Sequence, residues 1–165
     1  MAILDVIREC HVFKGLSADQ LHKLVSISRE ETYEAGQYIF REGDQAQGLY
    51  VIEEGEVVLE LSLAPFPGQG PPQWATLDII SKGQIFGWSA IVKPHILTTS
   101  ARAIQRCKCI AVDNIQLLNL MESDSILGYK VLKELSQVFA SRLVQTRRTL
   151  LTERGAARIR DEHGY

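Results

Sequence analysis

Glu34-Ala-Gly36-Gln-Tyr38-Ile39-Phe40-Arg41-Glu42-Gly43-Asp44-Gln-Ala-Gln-Gly48-Leu49-Tyr50-Val51-Ile52-Glu53-Glu54-Gly55-Glu56-Val57 carries the most ordered pattern in the chain. Glycines at 36, 43, 48 and 55 punctuate runs of β-branched and aromatic residues: Tyr38-Ile39-Phe40, Leu49 to Ile52, and Val57 to Leu61. Glycine suits the positions where the backbone turns sharply or takes φ > 0. Short strands at spacings of about 8–12 residues with glycine turns predict an all-β sandwich or barrel.

Toward the C-terminus, residues 64–73 hold four of the five prolines. Proline cannot donate to a ladder, so this stretch is expected to be a hairpin loop outside the sheet. Strand-like sequence resumes at Trp74–Ile80, Thr98–Ile104 and Cys107–Val112. Beyond Asp113 a helical period takes over. Leu132, Leu135, Phe139, Leu143, Thr146 and Leu150 form a stripe at three- and four-residue spacing, expected to pack on the sheet or on a second copy of itself.

On the N-terminal side, Ile3 to Ile27 also has helical periodicity. Gly15 is placed to end one helix, and Ser17 with Gln20 forms a capping box that starts the next. The expected layout is one mainly β domain over 1–153. It has N-terminal helices at 1–30, a β roll at 31–113 and C-terminal helices at 114–153, followed by a polar, disordered tail at 154–165.

Composition fits a single domain of 165 residues, 45% hydrophobic and 23% charged, with a net charge of −2. No apolar run approaches the roughly 18 residues of a membrane span, and the first residues are not a signal peptide. Cys10, Cys107 and Cys109 are an odd count and read as reduced thiols, which predicts a cytoplasmic protein. Charge is uneven: residues 1–128 hold 10 Lys/Arg against 16 Asp/Glu, and 129–165 hold 8 against 4. That basic excess is modest and reads as a solvated helix face.

No catalytic triad, phosphate-binding loop or metal-ligand spacing can be argued, so the chain is not expected to be an enzyme and needs no cofactor. Cys107 and Cys109 share one face of a strand and read as small core residues. Glu53, Glu54, Glu56 and Glu60 read as solvated strand faces.

The glycine-punctuated segment, together with Lys82-Gly83-Gln84-Ile85-Phe86-Gly87, Ser100-Ala101-Arg102-Ala103 and Cys109–Asp113, resembles the cyclic-nucleotide-binding domain family, the sensor module of cAMP receptor protein. The resemblance covers residues 10–150. It implies an eight-stranded jelly roll, or double-stranded β-helix barrel, with a phosphate-binding cassette at 83–100 and a long C-terminal helix that moves or dimerises. In the family, a cassette Glu accepts the ribose 2′-hydroxyl and a cassette Arg neutralises the cyclic phosphate.

Here the cassette departs from that pattern. Phe86-Gly87 is followed by Trp88 instead of Glu, and the Arg position falls on Leu97, before Thr98 and Thr99. Hydrogen bonds to charged groups contribute roughly 1.5–3 kcal/mol each. Losing two costs about 3–6 kcal/mol, on the order of 10² to 10⁴ in affinity for cAMP or cGMP. Arg102, five residues beyond Leu97, is expected on the opposite strand face. What the cassette keeps is the amides of Trp88, Ser89 and Ala90 and the hydroxyls of Ser89, Thr98 and Thr99, all able to donate to an anion. Trp88 either stacks on a base or fills the pocket.

These readings favour a sensor of a nucleotide-like or other anionic small molecule that acts as a homodimer through Leu132, Leu135, Phe139, Leu143 and Leu150, or on a protein partner in trans. The alternatives are a ligand-free dimerisation or protein-interaction module, and a fragment of a cAMP-receptor-type transcription regulator. The chain ends soon after the helical stripe, so no DNA-reading domain, and hence no direct sequence-specific DNA binding, is expected.

Overall fold

The computed structural model describes residues 2–63 and 73–162, with side chains to residue 152. Two short helices, α1 (Ile3–Glu9) and α2 (Ala18–Ser26), flank a 3-10 turn at His11–Phe13. The expected capping box is present: Ser17 accepts the Gln20 amide at 3.2 Å, and the Gln20 side chain accepts the Ser17 amide at 3.1 Å.

Eight strands follow: β1 (Ser28–Tyr33), β2 (Tyr38–Phe40), β3 (Gly48–Glu54), β4 (Val57–Leu63), β5 (Gln73–Ile80), β6 (Ile85–Phe86), β7 (Ser100–Ala103) and β8 (Cys107–Asp113). They form two four-stranded antiparallel sheets, ordered β1-β8-β3-β6 and β2-β7-β4-β5. That interleaved order is a jelly roll. The jelly-roll fold is as expected, and no ladder joins the two sheets among the described residues, so the roll is an open two-sheet sandwich. The β region also begins at Ser28, not Glu31. Leu63 opposes Gln73, as a β4–β5 hairpin requires, while its connection at 64–72 lies outside the described residues.

The core lies between the sheets and under the helices. β3 is buried from Gly48 to Glu53, because β8 and β6 flank it and α1 packs against it. Phe40, Tyr50 and Phe86 form an aromatic cluster with ring centroids 5.0–5.8 Å apart. Gly55, at φ 86°, closes the β3–β4 turn against Arg106. A Cβ there would lie 2.6 Å from the Arg106 carbonyl oxygen, a clash no side chain can relieve. The thiols of Cys107 and Cys109 face each other at 4.0 Å in the core. Glu53 and Glu60 are also buried, unlike the solvated faces expected of them. Glu60 is buried because Arg102 reaches across from β7 and donates to it.

Two helices end the fold, α3 (Asn114–Ser123) and α4 (Ser125–Glu162). The backbone of α4 continues past the expected boundary at 153, through a stretch rich in Ala, Arg and Glu, all good helix formers. Of the expected tail, residues 163–165 lie outside the described residues. The core face of α4 is Leu127, Val131, Leu135, Val138 and Arg142, at spacings of four, four, three and four. Leu135 is fully buried in this protein's own core, whereas Leu132, Leu143 and Leu150 each stand about half exposed on the outer side.

Candidate functional site

The cassette opens at Gly87, whose φ of 76° turns the chain out of β6. A Cβ at this glycine would meet the Gly48 carbonyl oxygen and the Tyr50 ring, each at 3.0 Å, so the turn sits directly on β3. A 3-10 turn follows at Trp88–Ala90, then a loop leading to β7. Ala90, Ile91 and Val92 spend their amides on the carbonyls of Gly87, Trp88 and Ser89.

The structure brings the predicted cassette residues together unevenly. Phe86, Ser89 and Ala90 are buried, while Thr98 is exposed and Thr99 half-buried. Leu97 is pinned by its backbone, donating to Asp44 at 2.9 Å and accepting from Gly43 at 2.8 Å, and its side chain fills the core. A leucine there gives an anion nothing to bind. The two nearby arginines are otherwise engaged. Arg102 donates to Glu60, and Arg41 lies over the Tyr38 ring at 3.9 Å. His95 Nδ1 lies 3.2 Å from the Ser89 carbonyl oxygen. The cassette, residues 83–100, holds no arginine, and its basic side chains are the exposed Lys93 and the half-buried His95.

Trp88 is half-buried and meets Phe139 of α4 edge-on, with ring centroids 5.2 Å apart and an interplanar angle of 61°. This arrangement is favourable for two aromatic rings. It links the cassette turn directly to the long helix.

A cavity of about 560 Å³ opens beside the cassette, between the 3-10 turn at His11–Phe13, the β5–β6 turn and α4. Arg142 on the core face of α4 dominates it. Its Nη2 donates to the Ile85 carbonyl at 2.7 Å, and its Nε lies 3.7 Å from Asp78 Oδ2. Its Nη1 is buried and has no hydrogen-bond partner among the described residues. Burial pushes this guanidinium below the usual arginine range, and Asp78 pulls it part of the way back. A buried donor left unpaired costs about 1–3 kcal/mol, so Arg142 carries a standing penalty. Sequence reasoning missed this residue. The available signal was an arginine in register with Val131, Leu135 and Val138 on the buried side of a helix.

Comparison with known proteins agrees with the architecture. The family model for the cyclic nucleotide-binding domain matches residues 30–124. A chain from Geobacter metallireducens assigned as a cyclic nucleotide-binding protein is 26% identical, with a TM-score of 0.72 over 87% of this chain and 99% of that one. The regulatory domain of Toxoplasma gondii PKA, crystallised with cAMP, is 25% identical, with a TM-score of 0.67 over 84% of this chain and 48% of that one. Among curated proteins, cGMP-dependent protein kinase egl-4 from Caenorhabditis elegans is 21% identical over 98 residues, 59% of this chain. The chain spans only 12% of that kinase's length.

Proposed function

The chain belongs to the cyclic nucleotide-binding domain family, whose fold is regulatory and not catalytic, and from that premise we propose that it is a small-molecule sensor read out by α4. The observation that carries the proposal is the edge-on contact of Trp88 with Phe139. Any occupant that shifts the cassette turn moves Trp88, and Phe139 must follow or lose its partner. The ligand is an anionic or nucleotide-like small molecule. With Leu97 in the core and no arginine in the cassette, cAMP and cGMP are poor occupants. Three unpaired, buried cysteines suit a reducing compartment such as the cytoplasm.

The test uses Trp74→Phe, which leaves Trp88 as the single indole, and follows emission and thermal unfolding against a panel of anionic metabolites. The expected result is a shift in both signals with at least one nucleotide-like anion, and none with cAMP or cGMP at about 100 μM. An occupant present at a hundredfold excess over its Kd adds about 2.7 kcal/mol of stability. Silence across the panel overturns the sensor reading.

A second reading, a dimerisation module that binds no ligand, is favoured by Leu132, Leu143 and Leu150. They are exposed on α4 at spacings of eleven and seven residues, about three and two helical turns, and so lie along one line. The occupant that suits such a line is the same line on a second copy. Sedimentation of the wild type and of Leu143→Lys tests it: a dimer that weakens in the variant supports this reading, and a monomer at all concentrations removes it.

A further inference from the structure

We propose that the cleft between the β5–β6 turn and α4 binds a small organic anion of nucleotide size, with its phosphate or carboxylate on Arg142. Two of the three guanidinium nitrogens are occupied in holding the side chain still, Nη2 on the Ile85 carbonyl and Nε beside Asp78. The third, Nη1, lacks an acceptor among the described residues and is buried, so an oxyanion reaches it only as the side chain turns toward the cleft. A planar guanidinium matches the geometry of an oxyanion, and Arg142 lines the cleft with 23% of its side chain exposed.

The lining supplies the remainder of the site. Gln84, Gln137, Ser141 and Gln145 bring neutral amides and a hydroxyl, which both donate and accept, as a polar ring or sugar requires. Asp78, the acidic member, is already committed, since its Oδ1 accepts the Ile79 amide at 2.9 Å and its Oδ2 faces Arg142. At about 560 Å³ the cleft lies within the range of small-molecule pockets. Its lining takes Gly83, Gln84 and Ile85 from the start of the cassette and no residue from 87 to 99, so it adjoins the cassette turn without including it. Arg142 lies one helical turn from Phe139, so an occupant would bridge the β5–β6 turn and the element that carries the Trp88 contact. In that respect only, the inference rests on the sensor reading.

Calorimetric titration of the full chain with 5′-AMP and orotate tests the phosphate and carboxylate forms separately, with adenosine and uracil as uncharged counterparts. At least one charged probe is expected to bind about tenfold or more tightly than its uncharged counterpart. Arg142→Gln and Ser141→Leu, the second crowding the cleft while keeping the guanidinium, are each expected to weaken that binding about tenfold or more. Arg106→Gln, which removes an exposed arginine paired with Glu34, is expected to leave it unchanged. If neither charged probe outbinds its counterpart, or if both cleft variants bind as the wild type does, the inference is overturned. Arg142-dependent binding without any change in Trp88 emission keeps the site and removes the sensor reading. A Trp88 response to a ligand indifferent to both variants does the reverse.

Discussion

Gln20 on α2 donates from Nε2 to both carboxylate oxygens of Asp124, at 3.3 and 3.1 Å, and the same carboxylate accepts the Leu127 amide at 3.0 Å. Asp124 sits in the break between α3 and α4, so one side chain both caps the long helix and ties it to the N-terminal layer. The Leu127 amide first, and Gln20 second, hold its carboxyl below the usual aspartate range.

A carboxylate depressed in the folded state contributes stability above its unfolded pKa of about 4, and that stability is lost as pH falls through the lower folded value. Asp124→Asn is therefore expected to be less stable than the wild type at neutral pH. The difference should shrink as pH falls below about 4. Thermal unfolding midpoints across that range check it; a constant gap between the two proteins would mean that the capping charge is not the cause.

Rebuilding the cassette tests the proposal that cyclic nucleotides are poor occupants. Leu97→Arg alone places a cation in the core and is expected to lower the unfolding midpoint markedly. In Trp88→Glu/Leu97→Arg the two ligand groups return together, with an expected gain on the order of 10² to 10⁴ in cAMP affinity over the wild type. Titration calorimetry of the double variant gives the answer.

The two sides of α4 should respond to substitution in opposite ways. Leu135→Ala opens a cavity in the core and is expected to cost about 2–5 kcal/mol of unfolding free energy. Leu143→Lys, on the exposed side, is expected to change the stability of the single chain by no more than about 0.5 kcal/mol. Urea unfolding at low protein concentration separates the two.

Removing the ring at Phe139 isolates the aromatic contact. Phe139→Leu keeps an apolar side chain but loses the edge-on pairing, worth about 0.5–1.5 kcal/mol. In a Trp74→Phe background the emission of Trp88 is expected to move to longer wavelength as its apolar cover thins. An unchanged spectrum would show that the contact does not hold Trp88 in place.

The glycine-punctuated strands were legible because turns and alternating β-branched residues leave a local mark, and so was the capping box at Ser17. β1 was read three residues short because Ser28-Arg29-Glu30 is polar, as suits an edge strand with much of its surface exposed. β6, only two residues long, leaves no period to read. The burial of Glu60 depends on Arg102, which is remote in sequence and adjacent only once β4 and β7 pair. The stripe from Leu132 to Leu150 identified a helix but mixed its two sides. The spacing alone does not say which side meets the sheet, and Leu135 and Leu143 went opposite ways. Arg142 went unread because an arginine on an amphipathic helix is ordinarily solvated.

The pairing of β1 with β8, Ser28 opposite Val112 and Tyr33 opposite Cys107, gives the protein a particular assembly history. β3 pairs with β8 on its other edge, so the sheet's second-last position is filled by the strand synthesised last. The ribosome must therefore release nearly all of the roll before its first sheet can close. Ordering such distant segments places folding in the millisecond-to-second regime of β-rich domains. Until β8 arrives, the buried row from Leu49 to Ile52 has no partner along one whole edge, and newly made chains are most prone to associate with one another in that interval.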